Sequence, residues 1–191
     1  MIYEGEIKKF SGKIAIAVAR FNQTITQRLL DGALYKLKKA KVKDNQIDVF
    51  WVPGAYELPT VADRLADTQQ YKAIICLGAV IKGDTSHDLH INQSISRQFI
   101  DIARRYKIPV LFGVLTCDTV EQANARSVAV EELFGKKKTK AAAVPDKTVA
   151  AHLGNKGADC ADSALQMISL MEQIEVLYDR VGSPFDDDMP F

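Results

Sequence analysis

The sequence predicts an α/β fold: a three-layer α/β/α sandwich in which a four-stranded parallel sheet carries helices on both faces. Two observations predict it. Apolar, β-branched runs recur at 14–19, 47–52, 73–80 and 109–115, each of strand length and apolar enough to be buried on both faces. Helix-length amphipathic segments separate them, and consecutive parallel strands need crossovers of that kind.

Taken in order, strand 14–19 leads to a helix expected to start near Thr24. There Thr24-Ile25-Thr26-Gln27 reads as a capping box, and Ile25, Leu29, Leu30, Ala33, Leu34 and Leu37 form an apolar stripe. Strand 47–52 is followed by a helix over 59–65, and strand 73–80 by a helix over about 92–106. After strand 109–115, Thr119-Val120-Glu121-Gln122 repeats the start signal, and a last helix is expected over about 159–177. Two stretches break the pattern: a basic, alanine-rich insertion around 135–154, and a tail over 182–191 whose Asp186, Asp187 and Asp188 lead us to expect disorder. The whole of 1–191 is expected to be one domain.

Composition excludes several function classes. With 25 Lys plus Arg against 24 Asp plus Glu, the net charge of +1 gives no global field for nucleic acid or an anionic membrane, so any anion site must be local. Cys76, Cys117 and Cys160 are odd in number and widely spaced, which suggests neither a disulfide framework nor a zinc site and fits a reducing, intracellular compartment. The charged amino terminus and the lack of a long apolar run predict a soluble, unsecreted protein.

In an open α/β sheet the ligand crevice lies beyond the carboxyl ends of the strands. Arg20-Phe21-Asn22 puts an aromatic ring at the first such end, where a flat heterocycle could stack, although Phe21 alone fits core packing as well. Val52-Pro53-Gly54-Ala55-Tyr56-Glu57-Leu58-Pro59 shapes a turn that delivers main-chain groups and the Glu57 carboxylate; a solvated helix-start glutamate is its ordinary reading. Gly78-Ala79-Val80-Ile81-Lys82-Gly83-Asp84-Thr85-Ser86-His87 resembles a phosphate cradle. Its spacing nearly matches GxxxxGK[ST], but Asp84 stands where that motif needs lysine, which argues against a nucleotide triphosphatase.

Gly83, Thr85 and Ser86 still suffice for a single phosphate ester, with His87 beside them to move protons near neutral pH. His90 and His152 read as structural. His87 and His90 have metal-pair spacing but no third ligand, and they are expected to straddle a loop-to-helix junction, so no metal is predicted. After the fourth strand, Phe112-Gly113-Val114-Leu115-Thr116-Cys117-Asp118-Thr119 adds a second aromatic, and Arg126 follows on the next helix, where it could grip a phosphate or simply form a surface ion pair. Cys117 has no neighbouring base and reads as inert.

Together with Gln122 to Arg126 and Gly154-Asn155-Lys156-Gly157-Ala158-Asp159, these motifs resemble, in order, the family of 6,7-dimethyl-8-ribityllumazine synthases. The resemblance implies a flavodoxin-like fold and a cofactor-free transferase of the cytoplasm. It implies condensation of 5-amino-6-(D-ribitylamino)uracil with 3,4-dihydroxy-2-butanone 4-phosphate, releasing water and phosphate in the penultimate step of riboflavin biosynthesis. By the same resemblance Phe21 stacks on the pyrimidine, and Ala55, Tyr56, Glu57, Ala79, Val80 and Ile81 hold the uracil and ribityl groups. Asp84, Thr85 and Arg126 take the phosphate, with Lys156 adding charge, His87 transfers protons, and Phe112 closes the site from a subunit interface.

The implied partners are small-molecule substrates and further copies of the chain, as a homopentamer with sites between subunits, and neither nucleic acid nor membrane. The sequence departs from the family pattern at Asp84, where glutamate is common, at Asp88, where an aromatic often follows the histidine, and in the insertion before Asn155. Shell-forming members keep a short connection there, so pentamers without a sixty-subunit shell are expected. The competing readings are an archaeal-type riboflavin synthase, and a catalytically inactive flavin-binding or structural assembly protein on the same fold. The 83–87 loop with Arg126 favours the phosphate-using enzyme over the first. Glu57, Thr85, His87 and Arg126 together argue against the second.

Overall fold

The computed structural model describes residues 1–135 and 153–181, so the tail over 182–191 and most of the 135–154 insertion lie outside the described residues. Four parallel strands, β1 Lys13–Ala19, β2 Ile47–Val52, β3 Tyr71–Ile81 and β4 Val110–Cys117, form one sheet in the order β2-β1-β3-β4. The helices are α1 Gln23–Lys39, α2 Leu58–Asp67, α3 His87–Tyr106, the short α4 Val120–Ala125 and α5 Val130–Phe134, and α6 Lys156–Val181.

The side-chain period of two along β1 builds both cores at once. Ile14, Ile16 and Val18 pack with Leu29, Ala33 and Leu37 of α1 and Ala161, Leu165 and Ile168 of α6. Ala15, Ala17 and Ala19 face Leu58 and Ala62 of α2 and Ile95 and Phe99 of α3. Helices therefore cover both faces, as the alternating pattern predicted. Burial on both faces holds for β1 and for most of β3, but β2 and β4 are edge strands and are partly open: Val49 is exposed, and Val110 to Phe112 are half-buried.

Two helix starts differ from the sequence reading. α1 starts at Gln23, and Thr24 is already helical, so the expected capping box does not form. The chain instead leaves β1 through Asn22 at φ 59°, ψ 43°, a left-handed turn that asparagine tolerates, and the Asn22 side-chain amide donates to the Ala79 carbonyl at 3.0 Å. At Thr119 the signal holds on one side: its hydroxyl accepts from the Gln122 amide, while the Gln122 side chain reaches past it to the Asp118 amide. α3 begins at His87 rather than near Asn92, which puts His87 and His90 on one helix instead of across a junction.

α6 docks on α1 through residues whose role is steric. A Cβ on Gly157 would overlap the Leu29 carbonyl oxygen, and one on Gly32 would overlap the Asn155 side chain. Asn155 is buried and fully used: its amide donates to the Arg28 and Val128 carbonyls at 2.7 and 3.0 Å, and its oxygen accepts from the Ala158 amide at 3.0 Å. That last bond caps the first turn of α6.

Candidate active site

With strand order β2-β1-β3-β4, the connections from β1 and β3 leave in opposite directions, and a crevice opens at their carboxyl ends. A cleft of about 380 Å³ lies there. Phe21, Ala55, Tyr56, Glu57, Ala79, Val80, Ile81 and His87, all singled out in the sequence, line it together.

The chain reaches this geometry locally. The Arg20 and Phe21 amides donate to the Val52 and Pro53 carbonyls at 2.8 and 3.0 Å, which ties the β1 exit to the β2 exit. The left-handed turn at Asn22 then leaves Phe21 71% exposed at the cleft. An exposed phenyl ring at a concave surface is a stacking face, and this separates it from a core phenylalanine. Tyr56 is 62% exposed, and Glu57, half-buried, leads into α2, where the helix dipole favours a carboxylate. Gly54 makes room for Glu57: a Cβ there would sit 3.1 Å from the Glu57 Oε2.

Pro53, Gly54, Asp88 and Ile91 complete the lining. In the sequence Asp88 stands out only as a departure from the family pattern. Its place in the first turn of α3, half-buried beside His87, makes it a second carboxylate of the cleft. The signal that finds it is the true start of α3, which the cap-type residue Ser86 marks in the sequence although its side chain makes no cap hydrogen bond.

The remaining candidates stand apart within one chain. Asp84 and Thr85 are exposed in the loop between β3 and α3, outside the cleft lining. Gly83 has no positive φ, and a Cβ there would meet nothing within 4 Å, so the backbone itself does not demand glycine. Arg126 caps the end of α4 and pairs with Asp159 of α6 at 3.2 Å, next to Lys156, whose amide donates to the Arg126 carbonyl. Phe112 packs edge-on against Phe99, centroids 5.9 Å apart, and lines a different, apolar groove of about 400 Å³ with Ser96, Ile100, Met167 and Met171.

Thiol chemistry is disfavoured by burial. It raises the Cys76 and Cys117 pKa values and pushes Cys160 up to about 11, so none presents a thiolate near neutral pH. Among the described residues no three His, Cys, Asp or Glu side chains gather as a metal site, and no helix is long and apolar enough to cross a membrane.

A family model described as 6,7-dimethyl-8-ribityllumazine synthase matches residues 11–172, which take in the whole sheet, the cleft and the docking end of α6. The chain belongs to this family. Three 6,7-dimethyl-8-ribityllumazine synthases from strains of Coxiella burnetii are similar: that of strain Dugway 5J108-111 is 43% identical, and those of strains CbuG_Q212 and RSA 493 are 42% identical. Each alignment spans 166 residues, 87% of this chain and 95% of the relative. As a lumazine synthase family member, the chain is a transferase of riboflavin biosynthesis. The cleft holds the family-like residues of the first three strand ends except Asp84 and Thr85, which stand in the loop beside it. Those of the fourth, Phe112 and Arg126, lie elsewhere on the same molecule.

Proposed function

We propose that the chain condenses 5-amino-6-(D-ribitylamino)uracil with 3,4-dihydroxy-2-butanone 4-phosphate to form 6,7-dimethyl-8-ribityllumazine. The observation that carries this reading is the exposed Phe21 ring at a cleft that also gathers Glu57, the Ala79 to Ile81 main chain and His87. The ring stacks on the pyrimidine, the main chain and Glu57 fix its polar edge and the ribityl chain, and Ala55 and Tyr56 shape the wall.

The chemistry then asks mainly for positioning and proton transfer. The 5-amino group attacks the ketone carbonyl and water leaves, giving an imine. Loss of a proton from the adjacent carbon expels phosphate from the neighbouring one and leaves an enol, which gains a proton at its terminal carbon and loses one from its hydroxyl to become a second ketone beside a new methyl group. The ribityl-bearing nitrogen closes the ring on the second carbonyl carbon, and water leaves again. His87, at the start of α3 and at the mouth of the cleft, moves these protons. The Thr85 hydroxyl and the main-chain amide of Asp84 in the preceding loop, with the positive end of α3, favour the phosphate and its departure as an anion. No metal or organic cofactor enters any of these steps.

Arg126 and Phe112 belong to the same reaction through a neighbouring copy. They lie outside their own cleft, and the groove around Phe112 is apolar, as the centre of a subunit contact is. We infer a homopentamer with sites between subunits, at work in the cytoplasm. The test is lumazine formation followed by absorbance with both substrates and no added metal. Wild type is expected to turn over, and His87→Ala to slow it by about 10²-fold. A rate no faster than the spontaneous condensation would overturn the assignment.

A further inference from the structure

At the opposite end of the sheet, beside the carboxyl end of α1, the chain forms a groove of about 630 Å³ lined by Ile7, Lys8, Lys9, Lys36, Lys39, Ala40, Lys41 and Asp162. Five lysines against one aspartate give the lining four excess positive charges, in a chain whose net charge is +1. Two lysines are neutralised: Lys36 pairs with Asp162, and Lys8 with Glu172 at 3.6 Å. Among the described residues Lys9, Lys39 and Lys41 form no ion pair.

Cations at a helix carboxyl end complement its dipole, but that dipole amounts to only about half a charge. Lys36, Lys38 and Lys39 in the last turn of α1 already exceed it. Lys8 and Lys9 come from a separate segment that is held in place on both sides. A Cβ on Gly5 would overlap the Gln166 carbonyl oxygen, the Gln173 side chain donates to the Glu4 carbonyl at 2.8 Å, and Phe10 packs against the α1 and α6 core. The two segments thus concentrate like charge on one concave surface, with Lys9, Lys39 and Lys41 exposed to solvent and accessible to an anion.

We propose that this groove binds a compact polyphosphate, such as inorganic tripolyphosphate or the triphosphate of a nucleotide, through Lys9, Lys39 and Lys41. Separate ammonium groups, without an arginine in the lining, suit an anion whose charge is spread along a chain rather than one held bidentately. A monophosphate would engage too few of them in water to bind well. A concave groove on a nearly neutral chain lacks the broad basic face that nucleic acid requires.

The test is calorimetric titration of the full chain at low salt with tripolyphosphate, ATP and inorganic phosphate, on wild type and on the triple variant Lys9→Gln, Lys39→Gln, Lys41→Gln. Tripolyphosphate and ATP are expected to bind alike, phosphate far more weakly, and the triple variant to lose about tenfold in affinity for the first two. Its rate of lumazine formation should match wild type, which separates this groove from the cleft. Absence of saturable tripolyphosphate binding to wild type, equal affinity in the triple variant, or binding of ATP without tripolyphosphate would each overturn the proposal.

Discussion

Phe21 and Asp88 show what single residues contribute to the cleft. Phe21 presents most of its ring to solvent, so removing it should cost little fold stability but should weaken the pyrimidine substrate. For Phe21→Ala, steady-state kinetics should show KM for the pyrimidine amine rising about tenfold, with a smaller change in kcat. An unchanged KM would mean that the ring does not stack. Phe21 was legible because an aromatic at a strand end is a sequence feature, whereas Asp88 was not, since its inclusion depends on where α3 starts. Asp88→Asn keeps size and helix start while removing the second cleft carboxylate beside His87, and is expected to lower kcat/KM several-fold; an unchanged kcat/KM would rule out a role for that carboxylate. A third residue group acts on stability. The Asp48 carboxylate accepts from Lys13 at 2.9 Å and from Tyr71 at 3.0 Å, and the bond to Lys13 holds its pKa below the ordinary value. Burial, then the bond to Asp48, raises Tyr71 to about 12. The Asp48 contribution is therefore present above the ordinary carboxyl pKa of 3.8 and lost as pH falls through the lower folded value. The Tyr71 contribution is present below 10 and lost as pH rises through about 12. Thermal unfolding against pH should show the acid limb flattened in Asp48→Asn and the alkaline limb only reduced, since burial still raises Tyr71; an acid limb as steep as wild type would refute the coupling.

At the scale of elements, the difference between what sequence pattern fixes and what it leaves open is clearest at helix ends. The strands β1 and β3 were legible because central parallel strands are buried on both faces and must read as continuous apolar runs. The helix ends were less so. The chain turns through positive φ at Lys41, Gln69 and Lys107, just past α1, α2 and α3, where the usual signal is glycine. Glycines that do matter hide inside helices. Gly157 and Gly32 sit where α6 crosses α1, a requirement of tertiary approach that no local pattern carries. Gly157→Ala should lower unfolding free energy by about 1–3 kcal/mol, because a Cβ must displace the α1 backbone. Gly83→Ala, where a Cβ meets only open space, should change it by no more than about 0.5 kcal/mol. Denaturant midpoints check both, and equal effects of the two substitutions would contradict the close-approach account of the α1 and α6 contact.

For the whole molecule, the position of Phe112 and Arg126 outside the cleft and the open sheet edge pose one problem with one solution. Phe112 and Arg126 matched the family pattern in sequence, yet lie outside their own cleft, and sequence order cannot say whether two strand ends serve the same site or sites on neighbouring copies. β4 is an edge strand whose flank, between α3 and α6, is an apolar groove with Ile100 and Met167 exposed. An edge left in this state invites association. If another subunit covers the groove, assembly and turnover should fail together, although no residue of the cleft is touched. Ile100→Asp places a carboxylate on an exposed groove position, where it does not disturb the folded chain. It is expected to convert the oligomer to smaller species in sedimentation velocity, and to reduce lumazine formation at least as far as assembly is lost. Far-ultraviolet circular dichroism should stay as in wild type, since the sheet and both cores are complete within one chain. A variant that sediments as wild type would place the subunit contact elsewhere. One that dissociates yet keeps full turnover would show that a single chain completes its own site, with Arg126 and Phe112 outside it.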